Sequence, residues 1–158
     1  MPVFPLDDTG TLTGKLAIVG ADLLSETLAG WQRGLIVPAT QDERLATYSG
    51  QIKKDAGEID WSLPAAEIWR RVRAFNPWPG CFTTWRGKRL KIVRADALPG
   101  EGNQKTGKTV SLPDGGLGIH TGDGILAVYR LQLEGKKAIT AAEFLRGQRD
   151  FIGTVLGS

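Results

Sequence analysis

A catalytic site needs a base, a nucleophile, a metal-ligand cluster or a phosphate cradle, and this chain is sparing with all four. His120 is its only histidine, and no serine, cysteine or second histidine stands in a context that would pair with it. Lying beside a turn, His120 reads as structural or solvent-facing. Cys81, the only cysteine, follows a proline-rich turn and reads as a small hydrophobe; a lone thiol excludes an internal disulfide and a cysteine-rich metal site. No catalytic residue and no metal ligand is expected. The string GNQKTGKT from Gly102 to Thr109 satisfies G-x-x-x-x-G-K-T, which cradles phosphate where a strand precedes it and a long helix follows. Here Thr109 to Leu112 reads as a strand instead, so the match is taken as a coincidence of a Gly/Lys loop.

Cations are the better candidates. In Arg89-Leu90-Lys91-Ile92, strand alternation that turns Leu90 and Ile92 inward turns Arg89 and Lys91 outward, and Lys88 extends that face. Lys53, Lys54, Arg70, Arg73, Lys136, Lys137 and Arg146 complete the candidate RNA-binding set, with Arg149 adjoining it. Residues 1–49 carry three Lys/Arg against six Asp/Glu, while the rest carries 17 against 11, so the positive charge belongs to the C-terminal two-thirds. Such asymmetry suits a segment that meets a polyanion; the plain alternative is a solvated basic surface. Trp61, Trp69, Trp78 and Trp85 lie among these cations. Aromatics so placed stack on unpaired bases in some barrels, but core packing is expected for Trp61 and Trp78, and Trp85 fits either role.

The elements that position these residues begin with a helix from Ser62, the expected cap, through Pro64 in its first turn. Ala65, Ile68, Val72 and Phe75 form its apolar stripe, Arg70 and Arg73 its basic side, and Asn76-Pro77 stops it. Period two then takes over. Strands are expected at 81–85, 89–97, 109–112, 117–121 and 124–133, with a hairpin turn at Arg86-Gly87-Lys88 and a polar loop over 98–108. A last helix opens through the capping box Thr140-x-x-Glu143. Five short turn-linked strands favour a barrel over a flat sheet. The fold class is therefore mainly β with flanking helices, with Leu90, Ile92, Ile119, Ile125, Ala127, Tyr129 and Leu131 expected inside.

Upstream, Leu12, Leu16, Val19, Leu23, Leu24 and Leu28 recur at helical spacing after Asp7, Asp8 and Thr9, and Gly20 is a candidate break. This wide stripe needs a partner: the downstream domain, a second copy in a homodimer, or a larger domain from which the helix is a piece. Residues 34–60 show no sustained period and read as a linker, with only weak strand signals at 35–37 and 47–52. The expected organisation is a helical segment over 1–33, a linker over 34–60 and a barrel domain over 61–158. No apolar run approaches the roughly 20 residues that span a bilayer, and the N-terminus lacks the order of a secretory signal, so a cytoplasmic location with no membrane partner is expected.

IDWSLPAAEIWRRVRAFNPWPG (59–80), GKRLKIVRA (87–95) and GDGILAVYRLQLEGKKAITAAEFLRG (122–147) together resemble the C-terminal part of the methionyl-tRNA formyltransferase family. DDTGTLTGKLAIVGADLLSETLAGW (7–31) resembles the end of that family's N-terminal catalytic domain. The resemblance implies an open five-stranded OB-like barrel that helps hold initiator tRNA (methionyl-tRNA) while the catalytic domain works. It implies a parent reaction in translation initiation, formyl transfer from 10-formyltetrahydrofolate to methionyl-tRNA. That family's Asn-x-His element and downstream Asp are missing here, since Gly118-Ile119-His120 supplies no such element. The chain alone is therefore expected to be inactive and to hold no cofactor. Two alternatives stand beside this reading. One is a non-catalytic interaction or dimerisation domain; the other is the C-terminal domain of a related formyltransferase with another substrate, against which the basic strand and the GKK ending argue.

Overall fold

The period-two pattern that starts at Cys81 becomes one antiparallel sheet in the computed structural model of the protein, which describes residues 1–100 and 104–157. Strands β1 (Cys81–Trp85), β2 (Lys88–Leu98), β3 (Thr109–Ser111), β4 (Leu117–His120) and β5 (Ile125–Leu133) lie in the order β1-β2-β5-β4-β3. A two-residue β6 (Ile139–Thr140) adds to β5. The sheet curls into a five-stranded half-barrel with flanking helices, the mainly β architecture expected. β1 and β2 are joined at Arg86 and Gly87, both with positive φ (50° and 70°), the arrangement whose twist matches a two-residue hairpin.

Packing divides the chain into two units, Met1–Ile52 and Lys53–Ser158. In the first, α1 (Thr9–Gln32) runs through Gly20 without a break. Asp8 caps it, its Oδ1 accepting from the Thr11 amide at 2.8 Å, and the Lys15 ammonium lies 2.6 Å from the nearby Asp7 carboxylate. That hydrogen bond from Lys15 holds Asp7 below the usual carboxylate range. Most apolar side chains of α1, including Leu16, Leu23, Leu24 and Trp31, are exposed. Beyond it a 3₁₀ turn at Glu43–Leu45 is the only regular element of the unit among the described residues, and neither weak strand signal becomes a strand.

The second unit begins with a 3₁₀ turn, Lys54–Gly57, and continues into the first barrel strand by backbone pairing: the Ile59 amide donates to the Phe82 carbonyl at 2.8 Å. Helix α2 (Ala65–Ala74) starts later than Ser62 suggests, with Pro64 at the cap position. Ser62 instead donates its hydroxyl to Asp60 Oδ1 at 2.6 Å, a local turn that competes with capping. Ile68 and Val72 of α2 join Leu90, Ile92, Leu126, Val128 and Leu131 in the core on the concave side of the sheet. Helix α3 (Ala141–Gly147) has the expected capping box, Glu143 accepting from the Thr140 amide at 2.8 Å, and Phe144 completes an edge-to-face cluster with Trp85 and Phe151. Trp85 is thus a core residue, as is Trp61, whose indole donates to Thr83 Oγ1 at 3.2 Å.

Two expectations about facing fail. Along β5 the core takes Leu126 and Val128, and Ala127 is buried as expected, whereas Ile125 is only half-buried and Tyr129 is 42% exposed. The cause is an irregularity in register: β2 and β5 pair Ile92 with Leu131, Arg94 with Arg130 and Ala95 with Val128, so each strand shifts its inward parity over this stretch. Trp78, expected in the core, is 56% exposed at the tip of the turn that follows α2.

The tail after α3 closes the barrel's open side. The Thr109 amide donates to the Thr154 carbonyl at 2.8 Å, Gly153 donates to Thr109 at 2.9 Å and Leu156 donates to Gly107 at 3.0 Å, while Gly157 donates to Thr84 of β1 at 3.2 Å. One short segment therefore occupies backbone groups of both edge strands, which would otherwise be left unpaired.

Candidate nucleic-acid interface

Alternation in a strand decides which cations can meet. On β1 and β2, Cys81 faces Ile92 and Thr83 faces Leu90 toward the core, so the intervening pairs, Phe82 with Lys91 and Thr84 with Arg89, share the convex face. On β2 and β5 the same face receives Gln132 opposite Lys91. The register shift then turns Arg94 outward, directly opposite Arg130, and both are exposed. Simple parity from Leu90 and Ile92 assigns Arg94 inward, whereas parity from Tyr129 and Leu131 assigns Arg130 outward; neither arginine is among the expected site residues, because only the register shift brings the two together. Their clue in the sequence is slight: two arginines at strand positions that would cost too much to bury unpaired.

Each cation on this face has a defined seat. The Arg89 guanidinium lies 3.9 Å from the centre of the Phe82 ring, and the Arg89 amide donates to Glu134 Oε2 at 3.0 Å. Lys91 donates from its ammonium to the Pro77 carbonyl at 3.1 Å. The Arg94 guanidinium sits 5.7 Å from the Tyr129 ring centre; burial, followed by the neighbouring Asp96 carboxylate, holds the Tyr129 phenol above its ordinary value. Arg130 reaches the Ala138 carbonyl at 3.4 Å. Two like charges placed directly across a strand pair repel one another, and a bound anion would relieve that cost.

The ten expected residues do not form a single patch. Arg89 and Lys91 stand on the convex face, whereas Lys88, expected to extend it, pairs with buried Trp85 in phase with Leu90 and Ile92, so it leaves the exposed hairpin mouth from the opposite side of the strand. Lys136 and Lys137 are exposed on the β5–β6 turn, joined to the same face through Gln132, whose amide donates to the Lys136 carbonyl at 2.8 Å. Together with Leu133, Ile139 and Phe144 they line a cavity of about 150 Å³ beside α3. Lys53 and Lys54 are exposed ahead of the bridge that ties Glu58 to Phe82 along the edge of β1. Arg146 is exposed near the end of α3. Arg70 is exposed on α2, and since α2 covers the concave side, Arg70 looks away from the face that carries Arg89 and Lys91. Arg73 stacks at 4.5 Å on Trp69 of the same helix.

Among the described residues catalytic groups are not gathered. Cys81 is buried, and burial pushes its thiol up to about 11, the opposite of an activated nucleophile. Among the described residues no three His, Cys, Asp or Glu side chains are placed to hold a metal ion. Of the GNQKTGKT string, Gly102 and Asn103 lie outside the described residues. Gly107 donates its amide to the His120 carbonyl at 2.8 Å, and Thr109, wholly buried, donates its hydroxyl to the Phe151 carbonyl at 2.6 Å. The string leads into β3 instead of a helix, so its later residues serve the core. No helix among the described residues is long and apolar enough to cross a membrane.

Comparison with known proteins places this geometry in a wider group. Residues 51–149 match the family described as "Formyl transferase, C-terminal domain". Among curated proteins, the chain is 47% identical to the methionyl-tRNA formyltransferase of Dehalococcoides mccartyi and 41% identical to that of Roseiflexus castenholzii, in each case over 99% of this chain and 50% of the relative. It therefore spans about half the length of the curated relatives it matches. Among solved structures, a variant of HypX from Aquifex aeolicus superposes with a TM-score of 0.67 over 98% of this chain and 28% of HypX, at 19% identity. HypX in complex with tetrahydrofolic acid gives 0.61 over 83% and 23%, at 21% identity, a likeness of fold.

Proposed function

Because the chain belongs to the formyl transferase C-terminal domain family, in the form found in methionyl-tRNA formyltransferases, we propose that it is the module that grips tRNA for such an enzyme. The parent reaction is then formyl transfer from 10-formyltetrahydrofolate to methionyl-tRNA in the cytoplasm, at the start of translation. The chemistry belongs to an N-terminal catalytic domain, and this chain transfers no formyl group by itself.

One observation carries the reading: Arg89, Lys91, Arg94 and Arg130 converge on the convex face of β2 and β5, two of them directly opposed across the strands. Lys136 and Lys137 extend that surface through Gln132, and Lys53 and Lys54 precede the bridge along the edge of β1, while Lys88 and Arg146 are exposed apart from it. Arg70 and Arg73 belong to another side and are left out of the proposed contact. A face of this kind neutralises phosphates with little regard to sequence, which suits a module that positions an RNA whose identity is read elsewhere.

Titration of the chain with a tRNA transcript over a range of salt concentrations tests the proposal. The expected result is binding that weakens by about 0.7 to 0.9 log units per tenfold salt for each phosphate contacted. No binding at low salt, or formyl transfer by the chain alone, contradicts it. A second reading rests on the exposed apolar side chains of α1: a homodimer without an RNA role. Sedimentation with and without tRNA separates the two, since the RNA reading requires a complex that contains tRNA.

A further inference from the structure

Trp78 is the largest exposed apolar side chain of the unit Lys53–Ser158 among the described residues, and the interface does not use it. It stands 56% exposed between Pro77 and Pro79, on a turn closed by the Gly80 amide donating to the Phe75 carbonyl at 2.8 Å. That turn is backed closely from behind. A Cβ added to Gly57 would lie 2.1 Å from the Gly80 carbonyl oxygen, so the 3₁₀ turn and the Trp78 turn touch backbone to backbone. A large apolar ring is therefore held out to solvent by a support that is itself packed.

The turn is also physically continuous with the cationic face. Lys91 lays its stem across Gly80, where an added Cβ would meet Lys91 Cε at 2.2 Å, and its ammonium ends on the Pro77 carbonyl. On β1, Phe82 pairs with Lys91 and carries the Arg89 guanidinium over its ring. Trp78, Lys91, Phe82 and Arg89 thus make one connected strip with an exposed indole at its end. Nearby carboxylates are those of Asp55 and Glu58 on the 3₁₀ turn, and Glu134 beside Arg89.

We propose that Trp78 is a stacking platform for an unpaired nucleobase of the bound RNA, with Lys91 and Arg89 holding the phosphates that flank it. The inference rests on the RNA reading above and adds single-stranded recognition to it. A cation pair alone attracts any polyanion, whereas an indole plane fixed beside the cations selects a strand whose bases are free to leave their stack. The positive charge along the strip favours this occupant over an apolar protein surface, which would leave Lys91 and Arg89 unpaired on contact.

The test compares the intact chain with Trp78→Ala and Trp78→Phe, using a tRNA transcript with a single-stranded 3′ end and a fully paired RNA duplex as probes, at several salt concentrations. Trp78→Ala should weaken tRNA binding about 5- to 150-fold with an unchanged salt slope and should leave duplex binding as it was. Trp78→Phe keeps a ring and should bind tRNA within a few-fold of the unaltered chain, while losing part of the fluorescence quench that tRNA causes. Unaltered tRNA binding by Trp78→Ala overturns the inference, as does an equal loss for tRNA and duplex. If the unaltered chain fails to bind tRNA at all, the RNA reading itself falls, a result distinct from the other two.

Discussion

Replacing Phe151 with alanine tests how the barrel is held closed. Phe151 is completely buried, its ring 5.0 Å from the Trp85 ring and 4.9 Å from the Phe144 ring, each at 84°. Truncating a buried phenylalanine costs about 3 to 5 kcal/mol through lost transfer energy and the cavity left behind. The upper end is expected here, because both edge-to-face contacts are lost and each contributes about 0.5 to 1.5 kcal/mol beyond its area. The Phe151 carbonyl also receives the Thr109 hydroxyl at 2.6 Å, so the loss is felt where the tail bonds β3. Against a domain stability of about 5 to 15 kcal/mol this is a severe change, and at about 4 to 8 °C per kcal/mol the melting temperature should fall by at least about 12 °C. Thermal unfolding followed by near-ultraviolet circular dichroism, which sees Trp85, is the assay. Ile152→Ala, at a half-exposed neighbour, should stay within about 0.5 kcal/mol. A fall below about 5 °C for Phe151→Ala would refute the claim that the tail is part of the core.

Gly57→Ala sets a Cβ against the Gly80 carbonyl and should cost more than about 1 kcal/mol in denaturant unfolding, whereas Gly50→Ala, with nothing within 4 Å, should be near neutral; equal midpoints would show that the Trp78 turn is not backed as described. For Cys81, folding raises the thiol to about 11, so the folded state keeps a proton that the unfolded chain releases. Its contribution is therefore complete below about pH 8.5 and falls as pH rises toward 11, by roughly 3 kcal/mol, and a Cys81→Ala chain should lose this part of the pH dependence; stability that rises over this interval would contradict the burial. Thr140→Ala removes the α3 cap and should cost about 1 kcal/mol, with no change in tRNA affinity beyond a few-fold, as read by parallel unfolding and binding titrations.

Local rules carried the sequence a long way. Strand limits from Cys81 to Leu133, the hairpin at Arg86-Gly87-Lys88 and the Thr140 capping box all depend on neighbours within a few residues; the strands are found to within a residue at each end, the turn without Lys88, which opens β2, and the capping box as expected. What alternation cannot supply is a change of phase. The irregularity near Arg94 and Tyr129 moves β5's core face to Leu126 and Val128 and brings Arg94 to Arg130, a consequence of two strands meeting that neither strand announces alone. Trp78 departs from its expected core position for a similar reason: an aromatic next to a helix stop reads as core unless the direction of the turn is known. The tail from Phe151 to Gly157 carries too little periodicity to signal its bonds to both barrel edges. Basic residues were legible as a set, but their division between two sides of the sheet needed α2 to be placed on the concave one.

The central claim is that the convex face of β2 and β5 meets RNA and that the outer side of α2 does not. It is tested most directly by measuring the salt dependence of tRNA binding for two charge-reversed chains, Arg89→Glu/Lys91→Glu/Arg130→Glu and Arg70→Glu/Arg73→Glu. With three phosphate contacts removed, the first should bind more weakly and show a salt slope shallower by about 2 to 3 units, while the second keeps the original slope. Equal losses from both chains, or an unchanged slope in the first, would contradict the account.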